Sequence, residues 1–542
     1  MPTFFVDGDS LEFEPGEMVL HAMLRQDKFA PYYCYHEGLK VVAQCRMCLV
    51  DIPDMGNGRG APKLQTACST PCAENMKVDT LSPKVKEGQN LINEYLLTNH
   101  PLDCPICDQA GECDLQDYAF QFGTGHSEMA YEKRTYGWRN VGTFIALERN
   151  RCVHCSRCER YSKDIVGSHD FGMFLRGHEL TFDTYEDEHI AHKFQGNLAD
   201  LCPVGAITGR HWRFKRRAWK FNKAPSVCAS CSTGCNVTLE HHQNRLFRLK
   251  PRDNMAVNRW WMCDEGRVNF EHLNDRKTRW QEPQARVGGR SVPAAWDAVY
   301  DAIGARLKEL GATGGQVVGL ADTHATNEEL FVLKTLLAEA FGGATTYFPY
   351  RPGAQQEQPP RTDTDPFIFS LITTDKTPNT EGARRLGLTG DENDQRLKTA
   401  LQAGPKVVVL LGDPLADDEA LRAQVAKAEL VLRIGTHFSP WDEVADVVLP
   451  GYTYAEKYGT YTNKAGRVQR IQPALIPPEG ARDPLAILTD LGLRAGWSKR
   501  YAGAAEVLEA LGQTDGAFHG LSWDILTEQG QTLAAESARA SA

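Results

Sequence analysis

Apolar and polar residues alternate at the start of the chain, and the period of the pattern changes further along. Residues 3–14 alternate around Asp7-Gly8, which predicts a β-hairpin. A short helix is expected at Met18–Gln26, and the apolar run Met47–Ile52 predicts a further strand. The chain therefore begins with a small domain of strands and one short helix.

A second helix is predicted over residues 86–99, because its apolar residues recur at helical spacing. These residues are Leu91, Ile92, Tyr95 and Leu96. Pro101 ends this helix directly after His100. Residues 104–223 are rich in loops and aromatic residues. Such a segment buries too little apolar surface to hold itself together, so we expect bound metal clusters to cross-link it.

From about residue 275, helical segments alternate with short aliphatic strands. This alternation is typical of βαβ units around a parallel sheet. The predicted strands are Val317–Leu320, Val407–Leu411 and Leu430–Ile434, and the predicted helices are 293–310, 326–341, 393–403 and 418–427. Residues 350–385, rich in Pro, Gln, Thr and Asp, predict a long irregular insertion. The Ala-rich end of the chain predicts a helical tail.

The composition is that of an ordinary globular protein with an excess of acid. The 542 residues are 42% hydrophobic and 24% charged, with a formal net charge of −10. Since a single core rarely grows beyond roughly 250–300 residues, we expect several domains. The acidic balance argues against nucleic acid as a partner. The one basic stretch, residues 210–217, is interpreted as a solvated face or a subunit contact.

No segment predicts a membrane span, because the longest aliphatic run is Val407–Leu411 and crossing a bilayer takes about 20 residues. The N-terminus has no signal sequence and no Arg-rich presequence, so we expect the chain to stay where it is made, most simply a prokaryotic cytoplasm. Thiols are kept reduced there. The sixteen cysteines therefore predict metal sites rather than disulfides.

Fifteen cysteines and one histidine form four sets of four candidate metal ligands, and no cysteine follows the last of them. The first, second, third and fourth sets are Cys34/Cys45/Cys48/Cys68, His100/Cys104/Cys107/Cys113, Cys152/Cys155/Cys158/Cys202 and Cys228/Cys231/Cys235/Cys263. The long, short, long spacing of the first set is typical of [2Fe–2S] loops, whereas a zinc knuckle has two tight pairs. Spacing alone leaves open whether Cys68 or Cys72 is the fourth ligand.

The other three sets predict [4Fe–4S] clusters. In the second set His100 supplies the ligand that three cysteines leave missing, and a neutral imidazole in place of a thiolate raises a cluster's potential. The third set matches the bacterial ferredoxin run, whose last cysteine precedes proline. Tetrathiolate zinc also fits the fourth set, but the three redox sets before it favour iron. His154 and His192 are interpreted as packing or surface residues.

These motifs resemble the large iron–sulfur subunit, known as the G subunit, of bacterial respiratory complex I, the proton-pumping NADH:quinone oxidoreductase. The resemblance covers most of the chain apart from residues 350–385 and the tail. It lies in Asn99–Cys113, Arg151–Cys158, Leu201–Thr208, Met262–Arg267, Ala325–Glu329, Ala445–Pro450 and Glu456–Gln469. In that family the fourth [2Fe–2S] ligand lies in an Ala-Cys-x-x-Pro context, which selects Cys68 and leaves Cys72 as a spare thiol.

The resemblance implies a multidomain fold that is α+β first and α/β afterwards. The expected domains are a β-grasp [2Fe–2S] ferredoxin-like domain (1–82), a His/Cys3-ligated [4Fe–4S] domain (83–122), a ferredoxin-like [4Fe–4S] domain (123–224), a molybdenum/tungsten-enzyme-type [4Fe–4S] domain (225–280), a truncated molybdopterin-oxidoreductase-like α/β domain without an active site (281–500) and a helical tail (501–542). No molybdopterin is expected, because no cysteine after Cys263 could hold its metal and few residues remain for a capping domain. Gly412-Asp-Pro414, where the fold would contact a nucleotide, is interpreted as a relic turn.

The resemblance implies an electron-relay subunit without a catalytic site of its own. Electrons would enter from a flavin and NADH-binding partner through the [2Fe–2S] centre. They would then pass the His100-ligated cubane and the third-set cubane toward quinone-side iron–sulfur subunits, with the fourth cluster off this line. The chain has no GxGxxG or P-loop motif, so no cofactor site beyond the clusters is expected.

The expected location is the cytoplasmic side of the bacterial inner membrane, with attachment only through partner subunits of a hetero-oligomer. The alternatives are the relay subunit of a soluble NAD-linked hydrogenase, the catalytic subunit of a formate dehydrogenase and a structural zinc protein.

Overall fold

The computed structural model describes residues 1–127, 129–185, 189–322, 324–343, 345–347 and 366–533. The described chain divides into two compact units, one made mainly of Met1–Phe221 and one that begins at Asn222. The predicted boundary between residues 224 and 225 falls inside a strand of the second unit, so the division lies earlier in the chain. Of the predicted insertion at 350–385, residues 350–365 lie outside the described part.

Short strands and helices separated by long loops make up the first unit. Its elements are β1 (Thr3–Val6), β2 (Asp9–Glu12), α1 (Val19–Leu24), β3 (Leu49–Met55), β4 (Gln65–Thr66), β5 (Met76–Asp79), α2 (Pro83–Leu97), α3 (Asp114–Phe122), β6 (Arg139–Asn140), β7 (Ile145–Leu147), α4 (Arg157–Arg160), β8 (Phe171–Phe174), β9 (Thr181–Thr184), α5 (Gly196–Leu201) and β10 (Ile207–Gly209).

The N-terminal domain is a mixed five-stranded sheet in the order β2-β1-β5-β3-β4. The predicted hairpin is confirmed, since β1 and β2 pair antiparallel across Asp7 and Gly8, which both have positive φ as the tight turn requires. β1 also pairs in parallel with β5, so the chain between them, including α1, crosses over the sheet. Cys48 and Cys68 belong to the apolar core of this domain. Two candidate ligands are thus part of the core itself.

Helix α2 forms where the sequence predicts it, but only Ile92 and Leu96 of its apolar stripe pack against the core. Ser82 caps the helix by accepting a hydrogen bond from the Val85 amide. Leu91 and Tyr95 are exposed, whereas Asn93 is fully buried. Asn93 is buried because its side-chain amide has two hydrogen-bond partners. It accepts a hydrogen bond from the Tyr33 hydroxyl (3.0 Å) and donates one to the Tyr118 carbonyl (3.2 Å). A satisfied buried amide fixes the rotation of this helix.

The second unit contains a small antiparallel sheet followed by a large mixed one. Its elements are β11 (Asn222–Val227), β12 (Asn236–His242), β13 (Arg245–Pro251), α6 (Asp264–Val268), β14 (Gln284–Val287), β15 (Arg290–Pro293), α7 (Trp296–Leu310), β16 (Val317–Ala321), α8 (Asn327–Phe341), β17 (Thr345–Tyr347), α9 (Thr380–Arg385), α10 (Asp391–Gln402), β18 (Val407–Leu411), α11 (Glu419–Val425), β19 (Leu430–Gly435), β20 (Val447–Pro450), β21 (Gly459–Thr462), β22 (Arg467–Ile471), α12 (Pro484–Arg494), α13 (Ala504–Thr514) and β23 (Gln531–Thr532).

The predicted parallel sheet is confirmed, with strands in the order β15-β14-β20-β19-β18-β16-β17. β17, β16, β18, β19 and β20 run parallel, and β14 and β15 add an antiparallel edge. Every residue of β18 is buried because the sheet is covered on both faces. Successive side chains alternate between faces: Val407 and Val409 join one apolar cluster, and Val408 and Leu410 join the other.

The expected helical tail at residues 501–542 lies only partly in the described part of the chain. Helix α13 is present, but Val507, Leu508 and Leu511 belong to the same core as the parallel sheet. After Thr514 the described chain forms turns, and β23 then pairs with β22. The segment is thus an integral layer of the α/β domain. Residues 534–542 of the predicted tail lie outside the described part.

A buried polar network holds the N-terminus of α8 against β21. Thr326 and Glu329 form a capping box. The Glu328 carboxylate accepts hydrogen bonds from the amide (2.8 Å) and the hydroxyl (2.7 Å) of Thr460. Burial raises the pKa of Glu328 to about 7, although the bonds from Thr460 oppose the shift. The sequence motif Ala325–Glu329 is therefore explained by this network.

The Glu328 network predicts a pH-dependent stability of the second unit. Between its ordinary pKa of 4.5 and about 7, the folded protein holds a proton that the unfolded chain has released. The free energy of unfolding should therefore fall as pH rises through this range. Glu328→Gln cannot titrate, so wild type should lose up to about 3 kcal/mol relative to the variant between pH 5 and pH 8.

Chemical denaturation at the two pH values measures this difference. Glu479→Gln, which changes an exposed carboxylate, serves as the matched control and should leave the pH dependence of wild type in place. A constant difference between wild type and Glu328→Gln would show that Glu328 is ionised throughout.

Candidate metal centres

The four cysteines of the first set come together at the edge of the N-terminal sheet. Cys34, Cys48 and Cys68 are almost completely buried. The Cys34 thiol contacts those of Cys45 and Cys68, and the Cys48 thiol contacts that of Cys68. These contacts hold the pKa of Cys34 far below its ordinary value, because neighbouring thiols donate to its thiolate. All four are free cysteines, so the donor set fits a thiolate-bound iron cluster.

Cys72 has different neighbours. Its backbone amide donates to the carbonyl of Glu17, at 2.8 Å. Burial raises the pKa of its thiol to about 12, and the charge of Glu17 adds to the shift while that of Arg25 opposes it. Cys68, by contrast, contacts two other thiols of the set. The geometry thus groups Cys68 with the first set.

His100 of the second set lies three residues after the end of helix α2 and has an unsatisfied ring nitrogen. Its Nδ1 is buried and lacks a hydrogen-bond partner. Burial, with the charges of Lys133 and Arg151, lowers the pKa of His100 to about 4, so the imidazole is neutral at pH 7. Cys107 and Cys113 are buried, whereas Cys104 is exposed. A neutral imidazole with three thiols is a donor set that fits an iron–sulfur cubane.

The basic stretch at residues 210–217 contacts the loop of the second set, a role that the sequence did not predict. Arg217 donates to the Cys107 carbonyl (2.7 Å), and the Phe214 amide donates to the Asp108 carboxylate (2.7 Å). Trp212, within the stretch, is 5% exposed. The signal in the sequence was the aromatic residues between the cations, which a purely solvated stretch does not need.

The third set lines one small cavity with all four of its cysteines. Burial raises the pKa of Cys152, Cys155, Cys158 and Cys202, the last to about 11. Backbone amides oppose this: the His154 amide donates to the Cys152 sulfur (3.3 Å), and the amides of Val204, Ala206 and Ile207 interact with Cys202. Four desolvated thiols beside amide donors fit a bound cubane, because a metal stabilises the thiolates that burial opposes.

Neighbouring loops bring the second and third sets together. A Cβ atom on Gly205 would lie 2.1 Å from the sulfur of Cys107, so this position requires glycine. The Asp114 amide, next to Cys113, donates to the Pro203 carbonyl, next to Cys202, at 3.0 Å. The backbone at Pro203 and Gly205, in the loop of the third set, therefore contacts the loop of the second set.

The fourth set lies in the second unit and is entirely buried. The Cys263 sulfur accepts a hydrogen bond from the Gly266 amide (3.4 Å) at the N-terminus of α6. A Cβ on Gly266 would lie 3.0 Å from the Cys228 sulfur, so glycine leaves room for the group that the thiols bind. Burial raises the pKa of Cys228 to about 11 and that of Cys263 to about 12. This donor set also fits a cluster.

The two spare histidines of the first unit have structural contacts. His154 is half-buried, and its Cys152 contact is made by the backbone rather than the ring. The His192 Nδ1 accepts from the Phe194 amide (3.1 Å), and its Nε2 lies 3.4 Å from the Asp170 carboxylate. In the described ranges, no three His, Cys, Asp or Glu side chains are arranged around a single metal ion. A cubane sets a different requirement, since each ligand binds its own iron atom.

A cavity of about 490 Å³ lies at the carboxyl ends of β16 and β18, where the parallel strand order reverses. In the described lining the one Lys or Arg is Lys457, which is paired with Glu329 (2.5 Å). The other charged or titratable lining residues besides Glu329 include two aspartates and three histidines: Asp322, Asp413, His272, His324 and His437. The Asp322 carboxylate already accepts a hydrogen bond from the Asp413 backbone amide, at 3.1 Å. These residues fit a phosphate-bearing molybdopterin poorly, because its anionic groups would meet carboxylates.

Family models cover five separate parts of the chain. They are the 2Fe-2S iron-sulfur cluster binding domain (residues 1–83), the NADH-ubiquinone oxidoreductase-G iron-sulfur binding region (89–128), the NADH-quinone oxidoreductase subunit 3 ferredoxin-like domain (142–208), the molybdopterin oxidoreductase Fe4S4 domain (221–275) and molybdopterin oxidoreductase (376–494). Within the described part, no helix is both long and apolar enough to span a bilayer.

Relatives agree with these matches. The G subunit of NADH-quinone oxidoreductase from Rickettsia bellii is 35% identical over 332 residues, which are 61% of this chain and 47% of the relative. The mitochondrial NADH-ubiquinone oxidoreductase 78 kDa subunit of Candida albicans is 27% identical, over 90% of this chain and 81% of the relative. The chain spans about half the length of the first of these.

A solved structure, an NAD+-reducing [NiFe]-hydrogenase in the H2-reduced state, is 26% identical over 40% of this chain and 90% of that chain. Its TM-score of 0.34 does not establish a shared arrangement. The 2Fe-2S and 4Fe-4S models, in contrast, coincide with the four ligand sets. The predicted resemblance to the G subunit of NADH-quinone oxidoreductase is thus confirmed.

Proposed function

We propose that this chain is an electron-relay subunit of NADH:quinone oxidoreductase, without a catalytic site of its own. The observation that carries the proposal is the arrangement of the first three sets, each of which contributes at least one ligand cysteine (Cys34, Cys113 and Cys155) to one apolar cluster in the first unit. When bound, iron–sulfur clusters supply one-electron transfer. Residues that bring three such donor sets together favour a relay over a set of independent structural metal sites.

The proposed cofactors are one [2Fe–2S] and three [4Fe–4S] clusters. Cys34, Cys45, Cys48 and Cys68 would hold the first, His100, Cys104, Cys107 and Cys113 the second, Cys152, Cys155, Cys158 and Cys202 the third, and Cys228, Cys231, Cys235 and Cys263 the fourth. No molybdopterin is proposed, and the three carboxylates in the lining of the cavity at β16 and β18, with its lysine already paired, support this. The mixed sheet that carries the first set supports a β-grasp ferredoxin-like domain.

The contacts favour a cluster order that differs from the order expected at first. Arg160, two residues after Cys158, donates to the carbonyls of both Cys34 and Cys155 and so connects the first set with the third. Gly205, in the loop of the third set, lies against the Cys107 sulfur. We therefore place the third set between the first and the second, so that electrons leave through the His100-ligated cluster.

The chain's own residues would hold and insulate the clusters. Buried apolar residues such as Tyr33, Met47 and Val153 exclude water from the space between the first three sets. The His154 amide and Arg217 direct N–H groups at a ligand sulfur and a ligand carbonyl. Hydrogen bonds and low solvent exposure are the means by which a protein tunes cluster potentials.

The proposed partners follow from the similarity to the G subunit of NADH-quinone oxidoreductase. The chain would receive electrons from a flavin and NADH-binding subunit and pass them to quinone-side iron–sulfur subunits of a hetero-oligomer. It would lie on the cytoplasmic side of a bacterial inner membrane and reach the membrane through those subunits. Co-purification with a hydrogenase subunit instead of these partners would favour the relay subunit of a soluble NAD-linked hydrogenase.

Metal analysis tests the cluster assignment. We expect about 14 iron atoms and as many acid-labile sulfides per chain, with EPR signals in the reduced protein. Cys68→Ser should remove about two of the irons, because it breaks the [2Fe–2S] ligand set. The control Cys72→Ser should retain all of them. About ten irons in wild type would contradict the fourth cluster, and zinc in place of iron would contradict the relay.

His100→Cys tests the role of the imidazole in the second cluster. A thiolate adds negative charge, so the cubane should remain but its midpoint potential should fall. EPR-monitored redox titration measures the change. The control His21→Cys adds a thiol on the exposed side of α1 and should leave all potentials unchanged. An unchanged or higher potential in His100→Cys would contradict the assignment of His100 as a ligand.

A further inference from the structure

Two buried arginines connect the loops of the first and third sets. Arg157 and Arg160 lie three residues apart on α4 and are 7% and 6% exposed. They flank Cys158, a candidate ligand of the third set. Because residues at this spacing share a face of a helix, both guanidinium groups can reach the same neighbouring loop.

Arg160 joins ligand residues of both sets directly. Its Nη2 donates to the carbonyls of Cys34 (2.5 Å) and Cys155 (3.3 Å). Its Nη1 donates to the carbonyl of Lys40 (2.6 Å), in the same loop as Cys34. One planar group thus holds the backbone of two ligand cysteines from different sets, which a single-nitrogen cation such as lysine cannot do as rigidly.

Arg157 repeats this connection one helical turn away. Its Nη2 donates to the carbonyl of Tyr35 (2.6 Å), the residue after Cys34. Its Nη1 donates to the carbonyl of Leu201 (3.0 Å), the residue before Cys202. The two arginines therefore tie three ligand-bearing loops together.

The charge of Arg160 requires a partner, because a buried guanidinium without an opposite charge is costly. Its guanidinium is in hydrogen-bond contact with Cys34 and Cys155, which are candidate ligands of the first and third sets. Iron–sulfur clusters with four thiolate ligands carry net negative charge. Clusters in the first and third sets would thus balance the buried cation, and the cation would favour their reduced forms.

We propose that Arg160, supported by Arg157, is a positioning residue that fixes the first and third clusters relative to each other and raises the potentials of both. The inference rests on the proposed electron-relay function. It identifies the step between these two clusters as one that the chain controls with a single side chain. Hydrogen bonding and net charge are both known determinants of cluster potential.

Substitution of Arg160 separates its charge from its geometry. In the full chain, Arg160→Gln removes the charge and should shift the midpoint potentials of the [2Fe–2S] and third-set clusters in the negative direction, with the His100-ligated cluster shifting less. Arg160→Lys restores the charge and should return both potentials toward wild type. The lysine side chain cannot make all the contacts of Arg160 at once. The magnetic coupling between the two reduced clusters, measured by pulsed EPR, should therefore become weaker or more broadly distributed.

Iron content and a matched surface variant control for misfolding. Arg25→Gln changes an exposed arginine that pairs with Glu17 (2.9 Å) and should leave all potentials and couplings unchanged. If Arg160→Gln loses clusters, the inference is tested with Arg160→Lys alone. Wild-type midpoint potentials together with wild-type magnetic coupling in Arg160→Lys would overturn it. Arg160→Gln with full iron and unshifted potentials, or with equal shifts of all clusters, would also overturn it. A chain that contains zinc would instead refute the relay function itself.

Discussion

The desolvation of the thiols is the constraint on which the first unit depends. Burial raises the pKa of Cys113 and Cys152, so these sulfurs resist ionisation in the absence of a cation. A metal cluster reverses this balance by binding the thiolate, and the binding energy then becomes folding energy. The loops between residues 104 and 221 have few regular elements to stabilise them otherwise. We therefore expect metal occupancy and folding of this part to be coupled.

The elements around the ligands reflect the same constraint. Arg160 and Arg217 direct guanidinium groups at carbonyls of candidate ligand cysteines, and backbone amides face the sulfurs of Cys152 and Cys202. Each of these groups is positive or donates a hydrogen bond. Together they give a polar positive lining to sites whose ligands would be anionic, while apolar side chains exclude water.

The sequence predicts the ligand sets and most regular elements because both depend on local pattern. Cysteine spacing is covalent information, and strand β18 is recognisable from five consecutive aliphatic residues. Long-range contacts are not readable in this way. The buried face of α2 depends on Asn93 meeting Tyr33 and Tyr118, and the basic stretch at 210–217 has its role only once Arg217 meets Cys107. The integration of α13 into the core likewise depends on distant partners.

The sheet of the second unit has a consequence for the order of events during synthesis. β14, at residues 284–287, pairs with β20, at 447–450, and the shared core includes Phe518 and Leu526. Contacts so distant in sequence form slowly, and this core is complete only after residues near 526 have left the ribosome. The N-terminal sheet needs only residues up to Asp79. We therefore expect the N-terminal sheet, with Cys48 and Cys68 in its core, to fold earlier during synthesis than the parallel sheet of the second unit.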